Sequence, residues 1–442
     1  MQRFFIERSK DEFYTSHSGL ALVGLFQNRY CNMAAKLDRA APVSSIGILS
    51  SDVIKAFIGL LCIGKTDYEA VTDKKGDSFF KKSLGLKKVP SAETLRQRFD
   101  QFAEQFLPIV RYASIEMLKN AKAGITPLST GHVPLYFDLT PLDNSNTKKE
   151  GVSYTYKKFD GYGLMAAYLG LEGWIMEAEL REGSQHCQKE FVPFLLRAIS
   201  WARMLTDKKL LITTDSGHDA LDNRLELAVV PLVDYIIKWN PRKESPAYWL
   251  AQARENGREL PARAGKQVFL LNVVEKVTHK EKDYAFRRVM RVIERTYDKH
   301  GQKLINPEIE LEGWWTSLDL PEQKVIDLYK GQGLCEQFHS ELKSDMDIER
   351  LPSGKFATNA LVTTCGAMAY NILRFIGQLG LLGERSPVRH AAKRRRIKTV
   401  IQELIYLAGR IIRKGRKVTL RLSLHCPAFE VFDELYTRLA YG

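Results

Sequence analysis

The chain has 442 residues, 45% of them hydrophobic and 27% charged. That is enough to bury roughly two to four domains and excludes a disordered or collagen-like chain. Its formal net charge is +14, and a long polyanion is the commonest partner of such an excess, because each neutralised phosphate releases a condensed counterion.

In chain order, MQRFFIERSKDEF contains acids and no apolar h-region, unlike a signal peptide. Residues 1–125 read as a helical DNA-binding region. SSDVIKAFIGLLCIG has helix-spaced apolar residues behind a Ser–Asp start. Ser91 is the expected N-cap of a short helix carrying Arg96 and Arg98, a geometry suited to a major groove. Gly59-Leu-Leu-Cys-Ile-Gly64-Lys65-Thr66 matches the phosphate-loop pattern by letter. Its large apolar residues and helical context remove the exposed amides that such a loop needs.

Residues 130–240 read as the first part of an α/β core. VPLYFDL is a strand ending in an acid. YGLMAAYLG and WIMEAEL are two more, joined at Leu171-Glu172-Gly173 as a hairpin. EFVPFLLRAISWARML is helical, KLLITTD is a fourth strand ending in an acid, a helix spans Asp219 to Ala228, and DYIIKW is a fifth strand. Residues 241–320 break the rhythm with QVFLLNVVEKV, YAFRRVMRVIERTY and EIELEGWWTSL, a β-rich insertion.

Residues 321–384 return to the core. Asp319-Leu-Pro-Glu322 opens a long helix. Ala360 to Leu379 is the most apolar stretch, but it holds Asn371, Arg374 and Gln378. These are costly in a bilayer, so a buried helix and no membrane are expected. Residues 385–442 are basic: Arg385 to Arg421 holds thirteen Lys and Arg against one acid, Glu403. Lys393, Arg394, Arg395 and Arg396 open an apolar helix, TVIQELIYLAGRII, whose charge reads as a phosphate-binding face. The six cysteines are scattered without a C-x-x-C pair, which argues against zinc or a disulfide scaffold and for reduced thiols in the cytoplasm.

Three acids stand out. Asp138 ends the first core strand, Asp215 ends the fourth, and Glu336 lies midway along the late helix. If the strands are adjacent, both Asp side chains project from one end of the sheet, where a crossing helix brings up Glu336. Such carboxylates repel one another unless hard divalent cations join them. Two metals about 4 Å apart suit in-line attack on a phosphodiester. No Ser-His-Asp or Cys-His site competes. Tyr329, Gln332, Glu336 and Lys343 form one helical stripe, and Val325, Ile326, Leu328, Leu334, Phe338 and Leu342 form the packing face. Asp143 lies in a polar loop, where capping a turn is expected; Asp219, Glu341, Asp345 and Asp347 are off position. His186, His218 and His339 are read as polar neighbours, because hard metals prefer oxygen. Lys148 and Lys149 are candidates for phosphate contact.

These residues resemble the Tyr-x2-Arg-x3-Glu-x6-Lys signature of DDE transposases of bacterial insertion sequences, through Tyr329, Glu336 and Lys343, with Gln332 in place of Arg. FDLTPLDNSNTKKEGVSYTYKKFDGY, LREGSQHCQKE and TTDSGHDA look like insertion-sequence family thirteen-eighty. The resemblance implies a ribonuclease-H-like core with a β-strand insertion, and catalytic metal ligands at Asp138, Asp215 and Glu336. It implies two Mg2+ ions, with Mn2+ able to substitute. It further implies cut-and-paste joining of terminal inverted repeats to target DNA by a homodimer in a synaptic complex, in a bacterial cytoplasm at the nucleoid. Tyr329, Gln332 and Lys343 then fall near the scissile phosphate, and Trp239, Trp314 and Trp315 become candidates to stack on a flipped base. The alternatives are a structure-specific nuclease of the same fold without strand transfer, and a non-catalytic DNA-binding regulator.

Overall fold

The computed structural model describes residues 3, 5, 6, 14–298 and 300–442; most of the N-terminal segment read above lies outside them. Strand β1 (Tyr14–Thr15) leads into five helices: α1 (Leu20–Tyr30), α2 (Ala34–Ala40), α3 (Ser50–Cys62), α4 (Ser78–Ser83) and α5 (Ala92–Asn120). Nearly every residue of α3 is buried, Gly59 included, so the phosphate-loop lookalike is a core helix. Ser91 caps α5 as expected, its hydroxyl accepting from the Thr94 amide at 3.2 Å. The helix is not short, however. It runs 29 residues, bends at Phe102, and buries an apolar stripe from Leu95 to Leu118, so its length comes from packing rather than from a groove-sized reading element.

The strands that follow form one ten-stranded sheet: β2 (Val133–Asp143), β3 (Ser153–Tyr154), β4 (Asp160–Leu169), β5 (Trp174–Glu182), β6 (Leu210–Thr214), β7 (Val233–Lys238), β8 (Arg258–Leu260), β9 (Lys266–His279), β10 (Lys282–Tyr297) and β11 (Lys303–Thr316). β2 pairs antiparallel with β4 and parallel with β6, and β6 pairs parallel with β7. The parallel connections run through α6 (Phe191–Arg203) and α7 (Leu221–Val229), as crossovers require. Asp138 and Asp215 therefore emerge from neighbouring strands.

The insertion continues this sheet. β11 pairs with β7 through Trp314–Lys238, Trp315–Ile237 and Thr316–Ile236. It also contains α8 (Pro246–Asn256), capped by the Ser245 hydroxyl with Pro246 in the first turn. The expectation of strands alone missed this helix.

The late helical segment comprises α9 (Glu322–Tyr329), a tight turn over Lys330–Gly333, α10 (Leu334–Ser340) and a wide turn over Glu341–Asp345. It crosses the sheet closely. A Cβ at Gly331 would stand 2.9 Å from the Tyr136 hydroxyl, and one at Gly173 would fall on the Phe338 ring. Gly170 and Gly173 both have positive φ, which fits the glycine-bounded β4–β5 hairpin beneath.

Among the described residues, α11 (Phe356–Gly380) is the one helix long and apolar enough to cross a membrane, and it is packed inside the protein. Two of its polar residues find partners there. Asn371 pairs with both the amide and the carbonyl of Ile175 at 2.9 Å, and Arg374 donates to Glu341 and the Tyr370 hydroxyl. The tail holds α12 (Ile397–Val400), a wide turn to Ile405, β12 (Gly409–Lys414), β13 (Lys417–Leu422) and α13 (Phe429–Tyr441). The expected helix through Ile412 thus ends early, because β12 pairs with β13 and β1 in a separate three-stranded sheet.

Candidate active site

An open cleft of about 1140 Å³ lies beneath the late helical segment, where β2 runs on past the end of β6. Asp138, Asp215 and Glu336 all line it. Asp138 Oδ1 accepts from the Leu139 amide at 2.9 Å, and its Oδ2 faces His339 Nε2 at 3.2 Å. His339 is buried, with Nδ1 3.0 Å from the Tyr168 hydroxyl. Asp215 leaves β6 at the start of a short turn, where its Oδ1 accepts from His218 Nδ1 at 2.7 Å and from the Gly217 amide at 3.2 Å. Burial works to raise its pKa, but the His218 and amide contacts outweigh burial and hold the carboxyl below the usual range. Glu336 projects from α10, is exposed, and has neither an ion pair nor a hydrogen bond. Each Asp thus has a histidine neighbour, while Glu336 stands free.

The other residues of the helical stripe also reach the cleft. Tyr329 packs its ring against Trp314, with centroids 6.2 Å apart, and burial pushes its hydroxyl up. Gln332 is buried. Its side chain accepts from the Thr213 hydroxyl and donates to the Phe137 carbonyl at 2.7 Å, so it ties β2 to β6 just before the two aspartates. Lys343 Nζ donates to the Pro141 carbonyl at 2.8 Å and pairs with Glu349 at 3.0 Å. Val325, Ile326, Phe338 and Leu342 are buried as the packing face requires. Asp143 borders the cleft and caps a turn, accepting from the Ser145 amide at 2.9 Å.

The facing wall was not read from the sequence. Lys238 of β7 pairs with Glu312 of β11 at 3.1 Å, Arg291 of β10 donates to the same carboxylate, and Lys238 Nζ lies 4.0 Å from the Trp314 ring centre. Burial pulls Lys238 below its ordinary range, with Arg291 adding to that effect. The ladder register places these residues side by side, and nothing local in three separate strands announces it. Tyr156, also on the cleft, donates to the Leu139 carbonyl at 3.1 Å. Trp239, Trp314 and Trp315 are all buried, and each ring has a cationic head over it.

Several residues expected on a DNA face are committed internally. Arg394 pairs with buried Glu341 at 2.6 Å and lies 4.4 Å from the Phe338 ring centre. Arg395 is 6% exposed and donates to the carbonyls of Leu381 and Val388. Arg396 grips Asp345 at 2.8 Å. Three cations of the run are therefore neutralised or bonded inside the molecule, and Lys393 alone of the four remains exposed. Arg394 and Arg396 tie the tail to the late helical segment through Glu341 and Asp345, so most of the charge expected to meet phosphate is engaged within the fold. Arg96 is neutralised by Glu69 at 3.0 Å and by Glu93, and Arg98 lies over Phe102. Lys149 donates to Asn144 at 2.9 Å and to the Leu351 carbonyl, whereas Lys148 is exposed.

Three carboxylates in one cleft are the right kind of donor for a hard divalent cation. Among the described residues, though, no three His, Cys, Asp or Glu stand close enough together to hold one. The oxygens share a cleft without closing on a point.

The family model "Transposase DDE domain group 1" matches residues 12–441. No curated protein sequence matches. Among solved structures, the chain is similar to a piggyBac transposase in a synaptic complex with hairpin DNA, at 11% identity and a TM-score of 0.40, covering 95% of this chain and 80% of that one. Matched by that model over nearly its whole length, the chain belongs to the DDE-domain transposases.

Proposed function

We propose that this transposase cleaves DNA at the ends of a mobile element and joins the freed 3′-hydroxyl to target DNA, with Asp138, Asp215 and Glu336 as the catalytic carboxylates. In the first step water adds to phosphorus and the P–O3′ bond breaks. In the second, the 3′-hydroxyl attacks a target phosphodiester and another 3′-oxygen leaves, so one ester replaces another. The observation that carries the reading is the meeting of three sequence-distant acids in one cleft.

Magnesium held by the three acids would activate the attacking oxygen and stabilise the leaving one. The chain's own residues do the rest. His218 and the Gly217 amide fix the Asp215 carboxylate by one oxygen and leave the other available. The Leu139 amide holds one Asp138 oxygen, and His339, held by Tyr168, stands beside the other. Lys238, Arg291 and Lys343 line the cleft with positive charge, where a phosphate backbone is attracted. On this reading, binding of DNA and ions would have to draw the three acids closer together. A homodimer holding two ends belongs to the same proposal.

Incubation with a duplex carrying the element's terminal repeats, with and without Mg2+, tests it. Metal-dependent cutting at the repeat boundary followed by joining is the expected result. Cutting without joining would leave a nuclease, and binding without cutting would leave a regulator.

A further inference from the structure

With the Lys393–Arg396 run largely spent inside the molecule, the excess positive charge of the tail lies elsewhere. β12 and β13 form a two-stranded ribbon, Gly409–Leu422, with six cations and no acid. It turns through Gly415 at φ +57°, a left-handed value that favours glycine.

The register fixes which side chains share a face. Arg410 stands opposite Arg421, Ile412 opposite Thr419, and Lys414 opposite Lys417. One face therefore carries two like-charged cross-strand pairs. Ile411, Leu420 and Leu422 occupy the other face, buried or packed against the core. Cβ atoms of directly opposed residues lie about 5 Å apart, and like charges there destabilise the pair. Lys414, Arg416, Lys417 and Arg421 are exposed and have no ion pair among the described residues.

The Lys414–Lys417 pair keeps its repulsion uncompensated at the tip of this ribbon, an arrangement suited to an external polyanion. We infer that this face of the β12–β13 hairpin contacts the phosphate backbone of duplex DNA outside the catalytic cleft, none of whose lining comes from it. A two-stranded ribbon fits a major groove, and the Lys414-Gly415-Arg416-Lys417 tip lacks the apolar or aromatic residues that a membrane surface would engage. The inference rests on the DNA reading above but not on the three acids.

The test uses the full chain, a fluorescent duplex of arbitrary sequence, and binding measured across a salt series. Replacing Lys414, Arg416 and Lys417 together by alanine should weaken binding at least about tenfold near 0.1 M salt and lower the slope of log affinity against log salt by about 2–3. A single Lys417→Glu converts a repulsive pair into an attractive one. It should therefore raise the melting temperature while lowering affinity, a combination that a merely structural hairpin would not produce. An unaltered slope in the folded triple variant overturns the inference and leaves the catalytic proposal standing, as does loss of binding that only tracks loss of folding. No binding of duplex by the unmodified chain overturns both readings. Loss of capture by phosphatidylserine vesicles with DNA binding intact would instead make the partner a membrane.

Discussion

Glu336 and Glu341 lie five residues apart on one helical segment and have opposite surroundings. Glu336 is exposed to the cleft with no cation beside it. Glu341 is fully buried, gripped by Arg374 and Arg394. A carboxylate removed from water must bring its own counter-charge. One left unpaired at the mouth of a cleft is available to a charge arriving from outside. The same contrast holds for the basic residues: Arg394–Arg396 are consumed within the fold, whereas the β12–β13 tip is not.

The largest effect should come from the buried side. Glu341→Gln strands two guanidiniums and should cost about 3–5 kcal/mol of stability, read as a shift in denaturation midpoint. Any surviving folded enzyme should retain cleavage. A Glu341→Gln protein that is stable but inactive would break the comparison by moving Glu341 into the chemistry.

On the open side, Asp138→Asn, Asp215→Asn and Glu336→Gln should each lower cleavage by about 10²–10³-fold, the scale of losing one contact to a charged transition state. Folding and duplex affinity should be little changed. Normal turnover in any one variant removes that residue from the site.

Arg396→Ala sits between these extremes. It deprives buried Asp345 of its partner and should cost about 1–3 kcal/mol, with no change in the salt dependence of DNA binding. A flattened salt dependence would return Arg396 to the DNA face.

The smallest effect concerns pH. Asp215 has a depressed pKa, so its stabilising contribution is present above the unfolded value and is lost as pH falls through the folded one. His218→Ala should move that loss to higher pH. The change in stability should stay under about 1 kcal/mol, because the Asp215 side chain is half exposed and screened. Melting curves across the acid range give the comparison.

Local patterns made much of this legible. KLLITT became β6, which ends just before Asp215, the Leu171-Glu172-Gly173 turn joined β4 to β5, and the Tyr329 stripe faces the cleft. The first strand was misjudged in length: β2 runs on to Asp143 by pairing with β4, so Asp138 lies in its middle rather than at its end. What escaped depended on distant partners. The charge run ending at Arg396 looked like a surface because the acids that neutralise it, Glu341 and Asp345, lie about fifty residues earlier. The helical period through Ile412 gave way to pairing with β13, a tertiary override of propensity. The Lys238–Arg291–Glu312 group emerges only from ladder register across three strands. α8 was different, because Ser245 followed by Pro246 was a readable helix start.

The seam between β7 and β11 bears on how motion travels through the enzyme. β7 runs beside β6, which presents Asp215, and β11 continues into the long β10 and β9 ribbon. Force applied to the outer end of that ribbon passes along backbone hydrogen bonds to the strand that leads to Asp215, with no loose tether between them to absorb it. Residues 241–320 therefore form a stiff lever whose short arm ends beside Asp215.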